Sequence, residues 1–374
     1  MNNKNYNIKF CSNCLAMSTR PRIIFDASGL CSACIWMNKK KIINWNQRLI
    51  ELEKLLTFHR KKNDFDCIVP VSGGKDGSYV AYNLKKKFNM NPLCVTVRPH
   101  LYSDIGEKNL NNFVKSDYQL ISVDVGYETM RSINKLGLFD MGIGYYGWLI
   151  AIFTGVLRIA EKFNINLIFY AEDGEIEYGG SNENEKNYIF DVNYIKKIYV
   201  EGGYDKILNK LNLSDREKFF FTFPEEKNIN SKKIKMTHWS YFENWDPYRN
   251  YVIAKEKCGL IDLDKGNLGT FTNFAQNDQL LCSLHYYLMY LKFGFGRANQ
   301  DASIEIRRGA MSREQGVNLV NLYDNCYPKE FIDDFLKYFE ISKKVFDEIL
   351  DKWTNKNLFE KDNNNIWQPK FKIL

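Results

Sequence analysis

The chain has 374 residues, 45% of them apolar and 15% aromatic, enough to fill one large domain or two. Lys and Arg outnumber Asp and Glu by 52 to 45, and the net charge of +7 suits anionic ligands without marking a dedicated nucleic-acid binder. The four histidines, His59, His100, His238 and His285, fall in no HxxxH or HExxH spacing, which argues against a catalytic metal held by histidines.

No charged segment, apolar run and cleavage site of a secretory leader opens the sequence. The longest apolar stretch, residues 145–157, is too short to cross a bilayer. A cytoplasmic protein is expected, with its nine cysteines reduced or bound to metal.

Cys11-x-x-Cys14 and Cys31-x-x-Cys34 come first, with sixteen residues between the pairs. This is the spacing of a zinc ribbon or knuckle, in which two tight turns offer four thiolates to one tetrahedral ion, and four ligands close the site to substrate. Between the pairs, a strand-like Arg22-Ile-Ile-Phe25 and the turn Asp26-Ala-Ser-Gly29 suit a small hairpin. A helix is predicted over 45–61, where Trp45, Leu49, Leu52, Leu55 and Leu56 recur at three- and four-residue spacing.

From Asp66 the pattern alternates: strand 67–71, helix 77–88, strand 92–97, helix 105–115, strand 119–123, helices 127–136 and 145–163, strand 167–171. Short apolar runs separated by helices imply an α/β fold with a doubly wound parallel sheet, whose ligands bind beyond the carboxyl ends of the strands. Past residue 200 aromatic-rich helices are predicted at 239–254, 279–293, 314–323, 329–340 and 342–353, the last capped by Ser342. The asparagine-rich tail, 355–374, is expected to be only partly ordered. The lysine runs 39–41 and 85–87 read as solvated helix faces. Three units result: a zinc ribbon-like module (1–43), an ATP-binding domain with its leading helix (44–200), and a mainly helical substrate or partner domain (201–374).

The first predicted strand runs into Ser72-Gly73-Gly74-Lys75-Asp76-Gly77-Ser78. Glycines let successive N–H groups face one anion, Ser72 and Ser78 add hydroxyls, Lys75 adds a cation, and a helix begins there. The spacing is not that of a Walker loop. It resembles the Ser-Gly-Gly-x-Asp-Ser loop of the PP-loop ATP pyrophosphatases, with Gly77 as an extra residue. That resemblance implies cleavage of ATP to AMP and pyrophosphate and adenylation of a substrate oxygen. It makes Lys75, Asp76 and Asp173 candidate catalytic groups, and it implies that Thr96 and Val97, at the end of the second strand, meet the adenine. Glu172, Asp173 and Gly174 end the last strand, where paired carboxylates can hold magnesium on ATP phosphates. Asp76 either binds a magnesium water or holds the loop.

Residues 297–313 concentrate arginines among carboxylates and amides. Arg297, Asp301, Arg307 and Arg308 are candidates to bind the diphosphate or carboxylate of a sugar substrate, the alternative being a salt-bridge lattice on a helix face.

Taken together, the cysteine pairs, Ser72–Ser78, Glu172-Asp-Gly-Glu-Ile-Glu-Tyr-Gly-Gly-Ser181, Asn267-Leu-Gly-Thr-Phe-Thr-Asn273, Gly294-Phe-Gly-Arg297 and Arg307-Arg-Gly309 resemble the N-acetyl sugar amidotransferase family. That family includes the pseudaminic acid protein PseA and the O-antigen enzyme WbpG. The resemblance runs from about Cys11 to about Tyr327. It implies ATP, Mg2+ and Zn2+ as cofactors and conversion of an N-acetyl group on a nonulosonate or UDP-sugar to an acetamidino group, in flagellin glycosylation or lipopolysaccharide synthesis. Position 2 is Asn rather than a nucleophilic Cys, and no Gly-x-Cys-x-Gly elbow occurs. A separate glutaminase (HisH-like) is therefore expected as partner, with a HisF-like ammonia-channel protein as a possible companion in the family. The alternatives are a PP-loop tRNA thiolase with a zinc finger and a zinc-bearing RNA adaptor. The first needs reactive cysteines beside ATP, whereas Cys67, Cys94, Cys258, Cys282 and Cys326 are scattered.

Overall fold

The computed structural model describes residues 8–61 and 64–373. Asn2, on which part of the glutaminase argument turns, and Leu374, the end of the expected loose tail, lie outside them. Six strands form one sheet: β1 (Cys67–Pro70), β2 (Pro92–Val97), β3 (Leu120–Val123), β4 (Leu167–Tyr170), β5 (Ile189–Phe190) and β6 (Lys235–His238), in the order β3-β2-β1-β4-β6-β5. All neighbours are parallel except β5 and β6. The chain winds outward from β1 to β3 and returns to place β4 on the other side of β1. The sheet therefore has its switch point between β1 and β4, where a crevice opens at the carboxyl ends.

Helices cover both faces, as a mostly parallel sheet requires. On one face Ile68, Leu93, Val95 and Ile168 pack under α5 (Tyr127–Met141) and α6 (Tyr146–Phe163). On the other, Cys67, Val69, Cys94 and Phe169 meet α2 (Trp45–His59), α3 (Lys75–Tyr82) and α4 (Asp104–Lys115). These helices start within two residues of the predicted ones.

Three expectations need correction. The sheet does not end at residue 200, because β6 returns to it at 235–238 after a run of short helices. The sheet unit thus extends beyond the boundary predicted at residue 200; Lys235-Met-Thr-His238 is too short and too polar a run to read as a strand. The helix expected at 239–254 is two, Trp239–Phe242 and Pro247–Cys258, since Pro247 starts a new helix behind its Asp246 cap. The tail carries a hairpin, Phe359–Lys361 with Trp367–Pro369, and buried Leu358 and Phe359 anchor it to helices Leu281–Phe293, Ile332–Phe339 and Lys343–Trp353. Ser342 caps the last of these, accepting from Val345 N.

Candidate functional site

Four thiols gather at the N-terminal module. Cys11 and Cys14 sit on a tight turn, while Cys31 caps and Cys34 lies in the first turn of α1 (Ser32–Lys40). All four Sγ atoms lie within 4.8 Å of one another, and the Cys11–Cys34 and Cys14–Cys31 separations are both 3.6 Å. Tetrahedral ligands about 2.3 Å from one ion stand roughly 3.8 Å apart, so the cluster fits a single zinc. Backbone N–H groups of Asn13, Ala16 and Cys31 point at the sulfurs, as thiolates favour. Hydrogen bonds with the other three thiols pull Cys11 far down, and those with Cys11 and Cys14 push Cys31 and Cys34 far up.

The module grips α7 (Gly174–Tyr178), the short helix that follows β4. Arg22 bonds both oxygens of Glu175 at 2.8 and 3.0 Å, Ser32 donates to Gly179 O at 2.6 Å, and Trp36 Nε1 donates to Glu177 at 2.9 Å. Lys40 is buried against the other Glu177 oxygen, which corrects its reading as a solvated lysine.

The principal cleft lies at the switch point, with a volume of about 240 Å³. Its floor is the loop after β1: Ser72, Gly74, Lys75, Asp76 and Gly77 line it. Gly73 sits behind them at φ 82, and a Cβ there would stand 2.4 Å from Leu110 N, so only glycine fits. Gly74 caps α3 without a side-chain acceptor, leaving the first N–H groups of the helix for an anion. Lys75 is nearly enclosed and pairs with Asp76; burial opposes its charge, yet Asp76 and Glu172 hold its pKa above the ordinary value. Asp76 also accepts from Asn250 at 3.1 Å, so it braces the loop while facing the cleft. Ser78 lies beneath the loop, with its Oγ buried and unpartnered.

Glu172 faces the loop from the end of β4, and burial followed by Asp76 pushes its carboxyl up to about 7. A buried carboxylate whose charge is opposed by a second one makes a fitting seat for a divalent cation, and Asp76 with Glu172 would hold magnesium here. Asp173 does not join them. Its Oδ1 caps α7 by accepting from Glu175 N and Ile176 N, and the side chain lies near Tyr199 and His238 in a separate small pocket. The structure thus places Asp173 outside the cleft as a helix cap, not beside Asp76 as its predicted catalytic and magnesium roles require; in this acidic pair at a strand end, one partner faces the cleft and the other starts the helix. Gly174 is the first residue of α7. Thr96 and Val97 are buried behind the cleft, where Val97 O accepts from Trp148 Nε1 at 2.8 Å and Trp148 forms the wall.

The remaining wall comes from the C-terminal region: Phe274, Gln276, Asn277, Asp278, Cys282 and Arg297. Asn267 shapes it, its amide donating to Ala275 O, Gln276 O and Asn277. The loop locks onto the sheet domain through Ser103 N to Asp278 O and Leu280 N to Leu101 O. Gly294 ends one helix in the left-handed region, and Arg297 opens the helix Arg297–Arg308, capped by Asp324. Of the four predicted substrate residues only Arg297 reaches the cleft. Asp301 holds it at 2.9 Å and is itself fixed by Thr270 at 2.6 Å. Arg307 turns to the cysteine cluster, 3.6 Å from Cys14 Sγ, and donates to Glu177 O. Arg308 pairs with Glu305 and Asp246. For Arg308 the salt-bridge alternative is the correct one; it shares a side of the helix with Arg297 but lies three turns further on, roughly 16 Å away, while Arg307 points about 80° round from both. Tyr145, Trp148, Tyr178 and the 274–278 loop escaped the sequence reading, although Tyr178 lies inside the quoted 172–181 segment.

Residues 268–372 match the family model described as LPS biosynthesis protein WbpG-like, C-terminal domain. The WbpG-like match thus includes Phe274, Asp278 and Arg297 of the cleft wall. The uncharacterized protein MJ1599 of Methanocaldococcus jannaschii is 34% identical over 113 residues, which make up 29% of this chain and 40% of that protein's length. Among solved structures, the U34-tRNA thiolase NcsA from Methanococcus maripaludis with its [4Fe-4S] cluster is similar at 14% identity and a TM-score of 0.32, covering 71% of this chain and 79% of that one. Among the described residues no helix is long and apolar enough to cross a membrane.

Proposed function

We propose that the chain is an ATP-dependent amidotransferase acting on an N-acetylated bacterial surface sugar. The observation that carries this reading is the make-up of the cleft: a phosphate-gripping loop on one side and the WbpG-like wall with Arg297 on the other. An amide carbonyl is a poor electrophile, and transferring adenylate to its oxygen removes that obstacle. The oxygen attacks the α-phosphorus and pyrophosphate departs. Ammonia then adds to the carbon, and AMP leaves with the former carbonyl oxygen, so that C=O becomes C=NH.

In this reading the N–H groups at the start of α3 and the Lys75 ammonium bind phosphate oxygens. Magnesium, when bound by Asp76 and Glu172, supplies charge neutralisation on the phosphates. Arg297, fixed by Asp301, offers a cation opposite the loop, with Tyr178 against it at 5.9 Å. Tyr145 and Trp148 restrict water at the same wall. Ammonia is supplied by a separate glutaminase. Zinc, held by Cys11, Cys14, Cys31 and Cys34, fixes α7 and through it Glu172.

A thiolase would require reactive sulfur at the cleft. Cys282 is the one cysteine lining it among the described residues, and burial pushes its thiol far above the ordinary value, which disfavours that reading. The deciding experiment supplies ATP, ammonium and a panel of N-acetyl sugars, pseudaminic acid and UDP-N-acetylglucosamine among them, with a heavy-oxygen label in the acetyl carbonyl. The label should appear in AMP. ADP as product, or AMP without the label, would refute the assignment.

A further inference from the structure

A second cavity, of about 420 Å³, lies between the cysteine module, the end of α5 and the C-terminal helices. Its polar wall includes Arg20, Arg22, Glu175, Glu201, Lys292 and Gln300. Each carboxylate already has a cation at ion-pair distance. Arg22 holds both Glu175 and Glu201, at 2.8 and 2.9 Å, and the nearby Asp140 is taken by Lys210 at 2.5 Å.

Two of the cations have no carboxylate at ion-pair distance among the described residues. Arg20 is one, and its Nε is buried without a hydrogen-bond partner there. Lys292 is the other, and it donates to the backbone oxygen of Met141. Burial lowers the pKa of both, the signature of charge held out of water without full compensation. With Lys210 counted, four cations around the cavity, Arg20, Arg22, Lys292 and Lys210, face three carboxylates, so one positive charge is in excess; an anion between Arg20 and Lys292 would offset it, and Gln300 adds an amide donor to the same wall. Apolar groups complete the lining, with Met289 beside Gln300, Trp353 beside Lys292, and Phe295, which suits the carbon skeleton of an organic molecule rather than a bare ion.

The cavity backs onto the cleft. Tyr178 lines the cleft, and the guanidinium groups of Arg20 and Arg297 lie 6.0 and 5.9 Å from the centre of its ring. His285 lines the second cavity, 4.8 Å ring to ring from Tyr145, which lines the cleft. The partition is one layer of side chains thick.

We propose that this cavity binds an organic oxyanion, carboxylate or phosphate, through Arg20 and Lys292.

Binding should be measured by calorimetry without ATP, using N-acetylneuraminate, UDP-N-acetylglucosamine, inorganic phosphate and neutral N-acetylglucosamine. At least one organic anion should bind, the neutral sugar should not, and Arg20→Met and Lys292→Met should each weaken the anion at least tenfold. Arg20→Lys should retain most of the affinity, and unchanged ATP affinity in each variant reports an intact fold. A preference for N-acetylneuraminate identifies a carboxylate site and a preference for the UDP-sugar a phosphate site. Failure of both organic anions to bind the unmodified protein, or affinities unmoved in both Met variants, overturns the proposal. Anion binding without amidine formation would instead sink the amidotransferase reading and leave the anion site standing.

Discussion

Lys40 Nζ lies 2.5 Å from Glu177 Oε2, an ion pair in which the lysine side chain is only 2% exposed. It joins the end of α1, which carries two of the four thiols, to the helix that follows Glu172. Metal module and cleft are thereby one mechanical unit. Glu177 also accepts from Trp36, and its backbone oxygen accepts from Arg307, which touches Cys14.

Removing one partner of an enclosed pair leaves the other charge stranded, so Lys40→Met should cost about 3–5 kcal/mol. Lys40→Met with Glu177→Gln should cost less, because the neutral amide still accepts from Trp36 Nε1. Urea unfolding of the two variants checks this. A double variant as damaged as the single one would mean that packing, not charge, dominates at the site.

Zinc content should be one per chain and should vanish in a Cys31→Ser, Cys34→Ser variant. Loss of the ion releases α1 and the turn at Cys11 together, and thus the contacts from Arg22, Ser32 and Trp36 to the 175–179 segment. The melting temperature should fall by on the order of 10 °C, and ATP affinity should fall with it although no cysteine of the cluster lines the cleft. Elemental analysis and a thermal scan decide the matter. Metal retained by the double variant would remove the cysteine assignment.

Gly77, the extra residue of the loop, has a packing reason. A Cβ there would stand 2.7 Å from Pro70 O and 3.2 Å from Val71 Cα, backbone atoms that cannot step aside. The glycine lets α3 lie directly against the end of β1. Gly77→Ala should destabilise the fold by roughly 2–3 kcal/mol and displace the loop, raising KM for ATP. A variant with wild-type stability and KM would show that the contact relaxes freely.

The sheet was legible because its strands are short, β-rich apolar runs between amphipathic helices, and β2 matches its predicted range to the residue. The strand-to-helix loop at 71–74 was legible because its glycines follow an apolar run and precede a helical one. What escaped were facts of orientation. Nothing in Glu172-Asp173 tells which carboxylate faces the cleft and which caps a helix, and nothing in Arg307-Arg308 tells that one reaches a cysteine 293 positions away. The 274–278 wall was hidden for a different reason: it is an irregular loop whose shape comes from the Asn267 amide, and such segments carry no periodicity to read.

Glu172 gives the cleft a pH dependence whose sign can be worked out. Its carboxyl is raised to about 7 by burial and then by Asp76, so the folded chain keeps a proton that the unfolded chain gives up near the normal carboxyl range. The stability this contributes is complete at low pH and is lost as pH climbs to about 7. Cation binding runs the other way, since magnesium requires the carboxylate. Magnesium-dependent ATP affinity should therefore rise between about pH 6 and 8, and Glu172→Gln should flatten that limb while making the protein more stable at the alkaline end. Asp173 is also raised to about 7, by burial, and Asp173→Asn is the control: the amide oxygen can still cap α7, so the limb should survive. A limb that disappears in Asp173→Asn and persists in Glu172→Gln would exchange the two carboxylates and return the magnesium to the residue that here starts the helix.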